Sequence, residues 1–508
     1  MSGEDNKRIA KNTAMLYVRM LLTMLVTLYT SRVILNTLGV EDFGIYNLVG
    51  GIVVLFSFFN SAMSMATQRF LNYEMGRGTI DSIKRVFSMS MIVHFSIIIF
   101  ILLLAETIGL WFLNTYLNIP EERIEAANWV YQFSILTFSI NVIQVPYNAS
   151  IIAHEKMTFY AYISIVEVIL KLLIVLVLPW GGVDRLILYS SLVCGVTILI
   201  FLCYRYYCLK HFVVCLFHFI WDAELYKRLI SFSGWTLLGQ VAVVGVNQGI
   251  NFILNIFFGV IVNAAMGIGY QVVNAIQSFV SNFQTAFKPQ LMKSYAAGDH
   301  SYLFQLVTVT SRFSFFLLFI LAVPVLYNTE FILRIWLKQV PEYSVTFCQL
   351  LIINSLIEAL AGPLWMSVHA TGKIKNYQII ISLLYLLNLC FSYFFLLLGY
   401  YPEIVLWIKL FVGIIILFVR IVFCQKLIKL PVKTYFEKTI RLILPVIIIA
   451  LPFPYLLKSY LGEVEYFFAS LIGGSIIIII AIYYCGITRL EREHVNKYTK
   501  IFLSKIRL

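Results

Sequence analysis

Charge is what this chain has least of. Of its 508 residues only 12% are Asp, Glu, Lys or Arg, against about 25% in soluble domains, while 61% are hydrophobic and the mean hydropathy is +0.88. No hydrophilic stretch is long enough for a soluble catalytic domain; the longest gap between apolar runs extends from about Cys208 to Leu229. The eight cysteines are scattered, mostly inside apolar runs, with neither disulfide nor metal spacing. Also missing are a phosphate-cradling glycine loop, a cluster of His and Cys ligands and an Asp-Asp pair of the kind that holds sugar-nucleotide metals. The expectation is therefore no metal, no cofactor and no enzyme active site. Without an ATP-binding element, any work must draw on an ion gradient or on the substrate's own gradient. The first apolar run is too long for a signal peptide and lacks a small-residue cleavage site, so it reads as a true span.

What remains is apolar sequence in lengths that cross a bilayer. Runs of at least 18 apolar residues number about fourteen, centred near residues 25, 55, 100, 140, 169, 196, 243, 276, 315, 355, 387, 413, 448 and 475. The pattern predicts an all-α polytopic membrane protein. Lys7, Arg8 and Lys11, then Arg69, Arg77, Lys84 and Arg85, then Lys210, Lys227 and Arg228, and the basic stretches at 426–441 and 489–507 all fall on one side. By the positive-inside rule that side is cytoplasmic, and it holds both termini. The net charge of +13 is mostly this topological bias and gives no reason to expect nucleic-acid binding.

The polar residues inside the spans lie in stripes. Between Trp235 and Lys288, Gln240, Asn247, Asn251 and Asn255 fall within an arc of about 80° on one helix. Gln271, Asn274, Ser278, Ser281, Asn282 and Thr285 cover about 100° on the next. Arg19, Thr23, Thr27 and Thr30 share about 80° of the first span, and Ser57, Asn60, Ser61, Ser64, Thr67 and Gln68 about 120° of the second. Lipid cannot satisfy amides and hydroxyls, so four such faces predict the walls of one wet cavity.

The chain also resembles itself. Gly39, Gln68, Tyr73 and Gly76 return as Gly259, Gln290, Tyr295 and Gly298, and Pro146, Ser150, Ala153, Lys156 and Tyr160 return at identical spacing as Pro363, Ser367, Ala370, Lys373 and Tyr377. Two ordered blocks at nearly one offset predict a duplication into parallel repeats. The expected domains are a six-helix bundle over 1–212, a second over 213–426, and two further membrane helices with a cytoplasmic tail over 427–508.

Several of these residues carry a family resemblance. Ser31-Arg32, Leu38-Gly39-Val40, Phe43-Gly44-Ile45-Tyr46, Ser233-Gly234-Trp235, Asn247-Gln248-Gly249, Asn263-Ala264-Ala265, and Phe283-Gln284-Thr285 running to Lys288-Pro289-Gln290 resemble the polysaccharide (O-antigen, Wzx-type) flippases. Those proteins belong to the superfamily that includes the MATE multidrug exporters and the lipid II flippase. The resemblance implies two pseudo-symmetric MATE-like bundles in a V around a central cavity. It further implies transport of undecaprenyl-diphosphate-linked oligosaccharide to the outer leaflet of the bacterial inner membrane, by alternating access, for surface polysaccharide and lipopolysaccharide synthesis. Polymerase and chain-length machinery would be the partners. The alternative is a MATE-like ion-coupled multidrug exporter.

For a lipid-linked sugar, the stripes supply hydrogen bonds to the glycan and a cation supplies the diphosphate contact. Arg19 is the first candidate, against the reading that it reaches toward headgroups. Arg32 is the second, against an ordinary boundary arginine. Glu167 and Lys171, one turn apart in mid-span, read either as a self-neutralising pair or as part of ion coupling to H+ or Na+. Glu358, with no basic neighbour on its own helix and Pro363 just beyond, is the other coupling candidate. Glu106 and Lys409 are expected to reach outward from the ends of their spans, Arg312 to line the cavity or pair with an acid, and His94 to be a packed residue.

Overall fold

The computed structural model describes residues 3–54, 57–77, 79–116, 119–180, 184–258, 260–337, 340–457, 460–493 and 496, with backbone alone at many positions before residue 60 and a few later ones. Its long elements are all helices: α1 Gly3–Val54, α2 Ser57–Arg77, α3 Ile80–Leu104, α4 Ile124–Ala153, α5 Met157–Val177, α6 Arg185–His211 and α7 Ala223–Phe258. They continue as α8 Val260–Ala296, α9 His300–Tyr327, α10 Ser344–Thr371, α11 Lys375–Leu397, α12 Ile404–Ile428, α13 Val432–Leu457 and α14 Glu463–Gly486. No strand occurs among the described residues.

Eleven of these are long and apolar enough to cross a membrane, α3 to α7 and α9 to α14. Of the exceptions, α2 and α8 carry polar stripes that dilute the hydropathy on which such a count depends, and α1 contributes the shorter apolar stretch Asn12–Thr27. The expected spans near 25 and 276 fall on α1 and α8; the centre of the one near 55 lies outside the described residues. Ahead of Pro120 the sequence contains no proline, and α1 runs unbroken through Gly39. At 1.5 Å per residue it is about 78 Å long, more than twice the hydrocarbon thickness of about 30 Å.

The chain packs as two compact units, residues 1–241 with 292–298 and residues 242–291 with 299–508. In the first, α4 packs against α6, α2 against α4 and α1 against α5. Its core includes Ile98, Ile101, Leu113, Val130 and Tyr131. Where α3 ends, the helix widens over Ala105–Gly109. A Cβ on Gly109 would lie 2.0 Å from the Tyr131 hydroxyl, which donates to Ala105 O at 2.8 Å. In the second unit α10 packs against α9 and α12, and the core takes in Phe315, Phe316 and Phe347 together with Ile443, Val446 and Ile478 of α13 and α14. Helices α13 and α14 thus contribute to this unit's core.

The duplicated block repeats down to individual hydrogen bonds. Ser150 Oγ donates to Pro146 O and Ser367 Oγ to Pro363 O, each at 2.8 Å. Cys208 Sγ donates to Tyr147 O at 3.5 Å and Cys424 Sγ to Leu364 O at 3.3 Å. Both helices end on a left-handed residue, Glu155 at φ 60° and Gly372 at φ 74°.

Candidate functional site

In the second unit, one cleft gathers charged and polar side chains from three helices. Asn354 and Glu358 stand one turn apart on α10. Lys409, Gly413, Ile416 and Arg420 follow at helical spacing on α12, and Tyr385 and Asn388 face them from α11. The cleft is narrow, with a cavity volume of about 20 Å³, room for about one water-sized molecule. Gly413 allows the close approach of α10: a Cβ there would meet Asn354 Oδ1 at 3.0 Å.

Every charge in the cleft is held by neutral groups. Glu358 accepts from Gln277 Nε2 of α8 at 2.9 Å and from Asn354 Nδ2 at 3.1 Å. Lys409 Nζ donates to Asn247 Oδ1 of α7 at 3.3 Å and to the Tyr270 hydroxyl of α8 at 3.5 Å, with its ammonium 5.1 Å from the Tyr270 ring centre. Arg420 Nε donates to the Tyr377 hydroxyl at 3.1 Å. No carboxylate lies within 4.0 Å of Lys409 or Arg420 among the described residues. Two cations and one carboxylate therefore share an intramembrane cleft without a direct ion pair, an arrangement that is costly and rare inside a membrane.

Proline chemistry also fixes how α8 meets α10. Pro363 has no N–H, so Ala359 O loses its partner within α10. Gln284 Nε2 of α8 takes its place at 3.2 Å and also donates to Ser314 Oγ at 3.2 Å. Gly362 makes room, since a Cβ there would meet the Gln284 amide at 2.3 Å.

The other sequence-derived candidates are dispersed through both units. Arg19 is half-buried with its guanidinium 4.7 Å from the Tyr160 ring centre, and Thr23 Oγ1 donates to its own helix at Met20 O, 3.1 Å away. Thr27, Gln271 and Asn274 are exposed; Asn60, Ser64, Gln240, Asn247 and Asn251 are half-buried. Gln68 and Asn282 are buried, and Asn282 Nδ2 returns to Ser278 O at 2.8 Å. Among the described side chains of the stripes, then, Asn247 alone touches the cleft's charges. The side chains of Arg32 and Asn255 lie outside the described residues. Glu167 and Lys171 pair with each other at 2.6 Å.

Lys409 and Arg420 were not among the site candidates. Lys409 turns into the bundle instead of reaching outward, because Asn247 and Tyr270 offer it oxygens. The available signal was the shared face of Lys409, Gly413 and Arg420. Arg312 pairs with Glu491 and donates to Lys438 O at 2.7 Å, joining α9 to α13 and the tail. His94 is buried, its Nδ1 2.6 Å from Ser90 O.

No protein-family model and no curated protein matches the chain. Solved structures do. An outward-facing multidrug resistance MATE family transporter of the MOP superfamily aligns with a TM-score of 0.72 at 12% identity, over 84% of this chain and 96% of its own. The chain has the fold of the MATE transporters. MATE in its bent conformation gives 0.72 at 12% identity over 85% and 97% of the two chains. A MOP superfamily transporter from Pyrococcus furiosus gives 0.66 at 14% identity over 84% and 96%. The MATE fold makes this a multi-pass membrane protein. At such identity no residue's role passes from a MATE structure to this chain, and the cleft has to be read from its own chemistry.

Proposed function

We propose that the chain is a flippase that carries undecaprenyl-diphosphate-linked oligosaccharide from the cytoplasmic to the outer leaflet of a bacterial inner membrane, by alternating access, with both termini cytoplasmic. The observation that carries this reading is the chemistry of the polar faces on α1, α2 and α8. They present amides, hydroxyls and Arg19, with Thr27, Gln271 and Asn274 exposed. Neutral donors and acceptors suit sugar hydroxyls of varied stereochemistry, and a guanidinium suits diphosphate oxygens. The head group needs a wet path; the prenyl tail can stay in lipid. A polymerase and its chain-length partners would consume the product. Ion coupling, to H+ or Na+, would involve Glu358, with Glu167 and Lys171 as the second candidates.

A second reading is a MATE-like multidrug exporter. It is favoured by the carboxylate of Glu358 and the ring of Tyr385 in one cleft, since acids and aromatics suit lipophilic cations. In the Pyrococcus furiosus transporter, reverse polarity of the binding pocket suggests a different function, and that precedent supports weighing pocket charge above fold.

The two readings separate in proteoliposomes. The protein should translocate a prenyl-diphosphate disaccharide and not ethidium. Arg19→Ala should lower that flux about tenfold or more, the effect of losing one charge-assisted contact, while leaving protein abundance unchanged. Ethidium efflux without glycolipid flux would establish the second reading.

A further inference from the structure

We propose that the second unit contains a monovalent-cation site which the chain fills with its own Lys409 ammonium, so that no inorganic cation binds there. The site deepens the transporter reading above by fixing what can couple to it, and it stands independently of the cargo. Two neutral oxygens and one aromatic face meet the ammonium. Asn247 Oδ1 and the Tyr270 hydroxyl lie at 3.3 and 3.5 Å, the face of the Tyr270 ring is on one side, and the Glu358 carboxylate lines the same cleft. Carboxylate, amide and hydroxyl oxygens are the donor set of a hard cation. Tyr270 and Asn247 also meet each other, hydroxyl to Oδ1, at 3.4 Å, so the two oxygens lie together beside the ammonium.

Lys409 comes from α12, while those oxygens come from α7 and α8. A mobile ion would have to join α7, α8 and α12 anew in each cycle; a tethered ammonium does so permanently. With Arg420 in the same cleft and a single carboxylate opposite, a further cation would meet two fixed positive charges in a poorly screened setting. Sodium is thereby excluded. Removing the lysine should uncover the site, because Glu358, Asn354, Asn388, Asn247 and Tyr270 remain.

The test uses the full-length protein in lipid nanodiscs, with radioactive sodium as the probe and choline chloride as the control salt. Wild type is expected to bind no sodium and to show no sodium-specific shift in thermal unfolding. Lys409→Met should gain saturable sodium binding, and adding Glu358→Gln should remove it. The proposal is overturned if wild type binds sodium through Glu358, or if folded Lys409→Met binds none. Should Lys409→Met fail to fold, Lys409→Ala prepared in methylammonium, ammonium or sodium chloride takes its place. Recovery of monodisperse protein in these salts but not in choline supports the site, and recovery in none of them overturns it. Glycolipid flux by the wild type is scored separately, so loss of the cargo assignment leaves the sodium result standing.

Discussion

The two copies of the duplicated block share a backbone and differ in charge. Proline, serine hydroxyl, cysteine thiol and left-handed helix end recur with the same bonds in α4 to α6 and in α10 to α12. At matched positions, however, the first unit has Asn141, Val193 and Tyr204 where the second has Glu358, Lys409 and Arg420. The bonds that bend and end the helices survive in both copies, whereas these three charges belong to one. Scaffold and charge are therefore separable, and any function that needs those charges is lodged in the second unit.

Exchanging residues between the copies tests this separation, and the largest effect should come where they differ in space. The counterpart of Gly362 is Val145, buried in its own unit. Gly362→Val would drive a side chain into Gln284, whose amide stands 2.3 Å from the nearest Cβ position, and would strand the Ala359 carbonyl that Pro363 leaves without a donor. Overpacking and an orphaned carbonyl together should cost about 3 kcal/mol or more. Size-exclusion profiles should show the folded fraction collapsing. Normal yield would mean that the gap at Gly362 is not needed for the packing of α8 on α10.

The next exchange concerns the left-handed helix ends. Glu155 holds a conformation that suits its counterpart Gly372, at a cost of about 1 kcal/mol, and its carboxylate is 1% exposed. Lys293 meets it at 2.8 Å within the first unit. Lys293→Met would take the ammonium away from a buried carboxylate, at about 3–5 kcal/mol. Glu155→Gly, which copies the other repeat, removes both charge and strain and should cost far less. The double variant should match Glu155→Gly in thermal unfolding. If Lys293→Met is the milder single change, the ion pair is not what retains a glutamate there.

How far such contrasts could be read in advance depended on the range of the interaction. Apolar run length, the Pro146 and Pro363 blocks and the stripes are local periodicities, and they located the helices and the repeat. The cleft was not local. Glu358 looked unpaired because its donors, Gln277 and Asn354, come partly from another helix, and Lys409 looked like a boundary lysine because its acceptors lie on α7 and α8. A stripe marks a polar face without saying what that face meets. Asn247 meets a lysine, Asn282 bonds its own helix, and Gln271 stays exposed.

The smallest expected effect lies where α6 and α12 begin. Asp184 caps α6, accepting from the backbone N–H groups of Leu186 and Ile187 at 3.0 and 3.1 Å, and it also pairs with Arg123 at 2.5 Å. Glu403 opens α12 without a side-chain cap. Burial alone would raise the Asp184 carboxyl, but the Arg123 guanidinium and the two backbone donors outweigh it and hold the group below its ordinary 3.8. A carboxyl depressed in the folded state contributes its stability fully above the unfolded value, and that contribution is lost as pH falls below 3.8 through the folded value. The protection of the Leu186 and Ile187 amides against hydrogen exchange, relative to their intrinsic rates, should therefore fall in that acid range, while the first turn of α12 responds less. Asp184→Asn keeps a capping oxygen but has no charge to titrate. It should flatten the acid response and cost about 1 kcal/mol or less at neutral pH. Equal acid responses at both helix starts would show that the cap does not distinguish the two units, and would restrict their difference to the charges inside the membrane.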